Sequence, residues 1–95
     1  MKLYFEWNST KAKTNVQKHT VSFEEAATVF GDENSITIDD IYHSLNEKRE
    51  VTIGKSANSR VLVVVHTNRG KYLRIISARK ASKKEKKQYE EQEQK

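Results

Sequence analysis

Ninety-five residues with a net charge of +5 and no cysteine make one small domain, 1–95, that neither disulfides nor thiolate metal sites can hold together. Proline is absent and glycine is scarce, which argues against a linker or low-complexity chain, and no apolar run approaches the roughly 20 residues that cross a bilayer. The opening MKLYFEWN alternates like a strand and lacks the pattern of a secretory signal, so the expected setting is soluble and cytoplasmic, away from any membrane.

Leu3, Phe5 and Trp7 alternate with Tyr4 and Glu6, which predicts a strand over residues 2–7. Asn8 is a helix cap, and residues 9–18 follow as a weak helix with Ala12 and Val16 four apart. Ser22 and Glu25 form a capping box. Phe23, Ala26, Ala27 and Phe30 keep the i, i+3, i+4, i+7 spacing, so residues 22–30 read as an amphipathic helix stopped by Gly31. The acidic stretch 32–49 reads as a loop with a brief extended piece at Ile36 and Ile38. Val51 and Ile53 begin a strand that Gly54 ends or bulges. Residues 60–67 are the most apolar strand, expected to be covered on both faces. Asn68-Arg69-Gly70 makes a tight turn into a strand over 71–79. Ser82 and Glu85 repeat the capping box and open a C-terminal helix, 82–95. Its polar surface implies that its end frays or awaits a partner, while Tyr89 packs it onto the sheet. The order predicts an α+β domain: an antiparallel β-sheet, two N-terminal helices after the first strand, and a C-terminal helix, with the helices on one face.

Charge is unevenly laid out. Residues 20–50 hold eight acids and two bases, whereas residues 55–87 hold eleven bases and one acid. A basic face of this kind binds nucleic acid or an acidic protein, or is simply solvated. Arginine weakens the last reading, because its planar fork suits phosphate. Arg69, Arg74 and Arg79 punctuate an apolar hairpin, where arginine survives only when paired or facing a site. Arg74 and Arg79 are an odd number of residues apart, so a straight strand puts them on opposite faces unless it bulges or ends, with Arg79 the exposed one. There is no Walker loop, dinucleotide fingerprint, H-E-x-x-H or nucleophile elbow. The three histidines lack ligand spacing, so neither a metal nor a cofactor is expected.

RNA cleavage needs none. The 2′-hydroxyl attacks its own phosphate, a base and an acid move protons, and cations stabilise the phosphorane; histidine and arginine suit those tasks. His19, before the second helix, reaches a substrate or caps the preceding helix. His66 ends a buried strand and reads as a packed residue. His43, in the acidic loop, reads as solvated. Glu47 and Arg49 are either a surface pair or groups brought to the sheet.

Phe5-x-Trp7, Asn15-x-x-Lys18-His19, Val21-x-Phe23-Glu24-Glu25-Ala26, Glu47-x-Arg49, Arg74-Ile75-Ile76-Ser77-Ala78-Arg79-x-Ala81 and Glu85-x-x-x-Tyr89 together resemble the BrnT toxins, over nearly the whole chain. The resemblance implies a RelE-like fold and a ribonuclease toxin of a type II toxin–antitoxin module that blocks translation. It also implies a BrnA-like ribbon-helix-helix antitoxin, through which the complex reaches operator DNA. Two positions depart from the pattern: Asn8 stands where members usually have Asp, and Thr20 where they often have Gly. On this reading the chain is a metal-independent endoribonuclease. His19 transfers protons and Glu47 orients or acts as base. Arg49, Arg74 and Arg79 stabilise transition-state charge, and Lys18, Arg69, Lys80 and Lys83 hold RNA phosphates. The competing readings are a non-catalytic nucleic-acid-binding module and a protein-interaction module.

Overall fold

The computed structural model describes residues 3–42 and 47–93. The chain runs β1 (Tyr4–Glu6), α1 (Ser9–His19) and α2 (Phe23–Thr28), which ends in one 3-10 turn at Val29–Gly31. It continues as β2 (Ile36–Asp39), β3 (Glu50–Lys55), β4 (Val61–Arg69), β5 (Tyr72–Lys80) and α3 (Lys83–Glu93). The strands make one sheet in the order β1-β5-β4-β3-β2.

β2 to β5 are antiparallel to their neighbours, but β1 runs parallel to β5. The sheet is therefore mixed, which corrects the all-antiparallel expectation. Apolar alternation reports which face a strand buries, and carries no direction. The helices are also divided between the faces. Phe23, Ala26 and Val29 pack with Leu62, Val64, Leu73, Ile75 and Ala78 on one side. On the other side Tyr89, 1% exposed, joins Ile53, Val61 and Val63. Tyr89 is thus the anchor expected of it, and its hydroxyl donates to Asp32. Most of the rest of α3 is exposed lysine and acid. The predicted end of that helix, residues 94–95, lies outside the described residues, as does His43.

Local signals place the helix starts. Asn8 Oδ1 accepts from Lys11 N–H at 3.0 Å, and Ser22 Oγ accepts from Glu25 N–H at 3.0 Å. At α3 the box is reciprocal: Ser82 Oγ accepts from Glu85 N–H at 3.2 Å, and Glu85 Oε1 accepts from Ser82 N–H at 2.8 Å. In the first box Glu25 turns instead to Arg60, which donates from Nε at 2.9 Å and also through Nη2. That pair holds the Glu25 carboxyl at about 2, well below the usual range, with further help from Ser56 Oγ.

α1 ends on Thr20 in the left-handed region, φ 57°. A threonine there costs about 1–2 kcal/mol. Its hydroxyl donates to His19 O at 2.6 Å, and its carbonyl accepts from Arg60 Nη2 at 3.1 Å. The turn favoured by glycine is therefore kept with threonine, tied to the Glu25–Arg60 pair. Gly54 does not end β3 as expected. A Cβ there would lie 2.7 Å from Val29 Cγ1 and 3.0 Å from Ser35 Cβ, so glycine admits the 3-10 turn onto the strand. The β4–β5 turn is Gly70-Lys71, one residue later than expected, with Gly70 at φ 60°.

Candidate nucleic-acid interface

The register of β4 against β5 slips between Val65 and His66, where Ser77 pairs with Val65 and Ile75 with His66. Ile76 is the extra residue of a β-bulge. Leu73 and Ile75 before it, and Ala78 after it, all face α1 and α2. The bulge therefore puts Arg74 and Arg79, five apart, on the same open face. The condition under which both could serve one surface is met.

That face carries a groove of about 590 Å³. Its floor includes Ile38, Val51, Val65 and Ser77, with Arg49 and Asp40 at one end and Arg79 and Glu85 at the other. Glu85, fixed by its capping box, forks Arg79 with two hydrogen bonds of 2.7 and 2.9 Å. The Arg79 guanidinium holds the Glu85 carboxyl at about 2. Glu85 is thus ionised and a very poor base near neutral pH, and its part is to aim Arg79. Arg79 keeps a side chain 45% exposed, so the pair leaves donors facing solvent.

The other predicted residues fall around this centre. Arg74 lies beside Glu6 in the β1–β5 register and donates to it at 2.9 Å. His19 and Lys18 line a second cleft of about 250 Å³, between α1 and β5, whose wall also includes Ile76 and Ser77. Among the described residues β1 pairs with Tyr72 to Arg74, and beyond that point the edge of β5 is met by α1 instead of a strand. The two clefts meet over this edge. Glu47 is not brought to the groove: its carboxylate accepts from Arg69 Nη2 at 3.2 Å, and neither residue lines the groove. Lys80 and Lys83 are exposed at the junction of β5 and α3.

Sequence reasoning missed Asn15 as a fastener. It is 6% exposed. Its amide nitrogen donates to Val21 O at 2.9 Å and Ala78 O at 2.8 Å, and its oxygen accepts from Ala78 N–H at 3.1 Å. One side chain thus stands in for the strand that β5 lacks and fixes α1 against the bulge. Glu6 and Glu85 were also missed as partners of the arginines. Only Glu85 had a local signal, its place in a capping box.

His66 is buried, as expected, on the helix-covered face. Its ring stacks edge-on against Phe30 at 4.9 Å, and Nε2 lies 2.7 Å from Thr52 Oγ1. Burial pushes its pKa down to about 4. An unfolded chain takes up this proton near pH 6.5, while the folded one resists until about 4. Stability is therefore full above 6.5 and falls as pH drops toward 4. The carboxylates Glu25 and Glu85, lowered to about 2, add their loss only below about 4.5. Unfolding in urea at pH 7 and pH 4.5 is expected to show a loss of about 2 kcal/mol. Equal stability at the two values would show that His66 is solvated.

Among the described residues no cluster of three or more His, Asp or Glu is arranged to hold a metal. No described helix is long and apolar enough to cross a membrane.

No curated protein matches the chain by sequence. The fold resembles the crystal structure of the Brucella abortus ribonuclease toxin BrnT, with a TM-score of 0.66 and 21% identity over 86% of this chain and all of that one. The profile of the ribonuclease toxin BrnT of type II toxin–antitoxin systems matches residues 7–85. That span runs from Trp7 to Glu85 and takes in Asn15, the bulge and the Arg79 fork, so the chain belongs to the BrnT family of ribonuclease toxins.

Proposed function

We propose that this protein is a RelE-like toxin that cleaves RNA without a metal, halts translation, and is neutralised by a BrnA-like ribbon-helix-helix antitoxin. The observation that carries the reading is that Arg49 and Arg79 line one groove with an apolar floor, with Arg79 held in a two-bond fork by Glu85. An RNA strand laid in the groove puts a phosphate against the Arg79 fork, and Arg49 holds the far side. Preset guanidinium donors are suited to the charge that grows on the phosphorane oxygens. Arg74, kept in place by Glu6, extends the cationic face.

His19 is the group for proton transfer. It lines the adjoining cleft, with Lys18 for a neighbouring phosphate, and reaches the reacting ribose past Ser77, which lines both clefts. The buried His66 faces the other side of the sheet and takes no part. Glu47 positions Arg69 for a phosphate at the hairpin end of the basic face, and Lys80 and Lys83 meet phosphates at the opposite end of β5.

The antitoxin covers the basic segment with acidic residues, and the complex meets operator DNA through the antitoxin's own ribbon. Inducible expression tests the whole reading. Growth and protein synthesis are expected to stop on induction, and co-expression of an adjacent ribbon-helix-helix protein is expected to restore both. Unimpaired growth on induction of a folded protein, or specific operator binding by the toxin alone, would favour a non-catalytic DNA-binding module.

A further inference from the structure

The open face does not end at the groove. Phe5 packs with the buried core on the helix side, as do Leu73 and Ile75. By alternation, Tyr4, Glu6, Tyr72 and Arg74 share the open face with Arg79. Tyr4 and Tyr72 sit directly opposite one another in the β1–β5 register. Their ring centroids are 5.8 Å apart at 55°, and they remain 45% and 39% exposed. The Lys71 ammonium lies 5.6 Å from one ring centre and 5.8 Å from the other. Two half-exposed aromatic rings beside a cation are what a single strand of nucleic acid uses, base on ring and phosphate on ammonium. Tyr72 pairs with Arg69 and Ser77 with Val65, four residues apart on β4, so the rings stand about 13 Å from the groove floor at about 3.3 Å per residue. Arg74 lies between them.

We propose that Tyr4, Tyr72 and Lys71 form a base-stacking subsite for single-stranded RNA leaving the groove along β5. This rests on the reading of the groove as an RNA site, and adds a second point of contact a few nucleotides away. With no RNA bound, Lys71 covers the ring faces. A base stacking there displaces the ammonium, which turns to the adjoining phosphate. Stacking tolerates any base, so the subsite sets the strand's path and length requirement and does not read sequence.

The test uses the full chain and a short, mixed-sequence 2′-O-methyl RNA oligonucleotide, which binds but cannot be cleaved. Fluorescence anisotropy is expected to show that Tyr72→Ala and Tyr4→Ala each weaken binding about 10-fold, and that Tyr72→Phe, which keeps the ring and loses the hydroxyl, restores it. An oligonucleotide lacking the base that reaches the rings is expected to bind wild type and Tyr72→Ala alike. Circular dichroism of each variant confirms that the sheet is intact. Binding by wild type that both alanine variants match would overturn the subsite and leave the groove reading standing. Failure of wild type to bind the oligonucleotide at all would overturn both.

Discussion

Replacing Arg79 with alanine is expected to lower RNA cleavage by about 10²- to 10³-fold, the loss found when one preset donor to a developing oxyanion is removed. The sheet will survive, because Arg79 is half-exposed and the core beneath is Leu62, Val64 and Ala78. The start of α3 will loosen, because Glu85 loses the fork that steadies it. Two further variants separate these effects. Arg79→Lys keeps the charge but cannot make the planar fork, so its cleavage is expected to stay well below wild type. Glu85→Gln keeps a group of similar shape at the helix start but no longer attracts Arg79 as an anion, so it is expected to lower the rate with little loss of helix. Single-turnover cleavage and circular dichroism measured together decide the matter. Full activity in Arg79→Ala would mark the arginine as structural.

Replacing Asn15 with alanine is expected to cost about 3 kcal/mol of folding free energy. Three hydrogen bonds disappear, and Ala78 N–H, Ala78 O and Val21 O are left without their partner in a buried setting. Each buried polar group so stranded costs about 1–3 kcal/mol, less where water can enter. That is a large share of the 5–15 kcal/mol typical of a domain. Asn15→Asp keeps the acceptor but turns a carboxylate toward two carbonyl oxygens, and is expected to be no better. Urea unfolding gives the number. The same variants test positioning, since Asn15 ties α1, which carries Lys18 and His19, to the strand that carries Ser77 and Arg79. An unchanged midpoint for Asn15→Ala would show that the side chain is not the fastener its geometry makes it.

What the sequence made legible was local. Asn8 and the two Ser-x-x-Glu boxes declare helix starts because cap and partner are three residues apart. Tyr89 declares itself because it is a lone large ring on a polar helix. Gly70 marked the hairpin through its positive φ, although the turn falls on Gly70-Lys71. Directions and partnerships between distant segments were not legible. Nothing in YFE says that β1 runs parallel to β5. Glu6 and Arg74 are 68 residues apart, and Asn15 and Ala78 are 63 apart. Gly54 looked like an end because glycine breaks strands, but here it makes room for Val29 and Ser35. The candidate site was half readable for the same reason. The basic and arginine-rich character of β5 is plain in its residues. Whether Arg74 and Arg79 share a face depends on one extra residue, Ile76, and a bulge has no fixed sequence signature in this strand. Glu47-x-Arg49 suggested a pair, yet Glu47 reaches Arg69, because β3 and β4 are antiparallel and bring the start of one to the end of the other.

In the proposed function the groove cleaves RNA with its own side chains. Purified protein, freed of metal in excess EDTA and incubated with single-stranded RNA, tests it most directly. The expected products are fragments ending in a 2′,3′-cyclic phosphate, formed by attack of the 2′-hydroxyl, at a rate unchanged by EDTA and greatly reduced in Arg79→Ala. Intact RNA in EDTA with cleavage restored by a divalent ion, or no cleavage by folded protein under either condition, would contradict it.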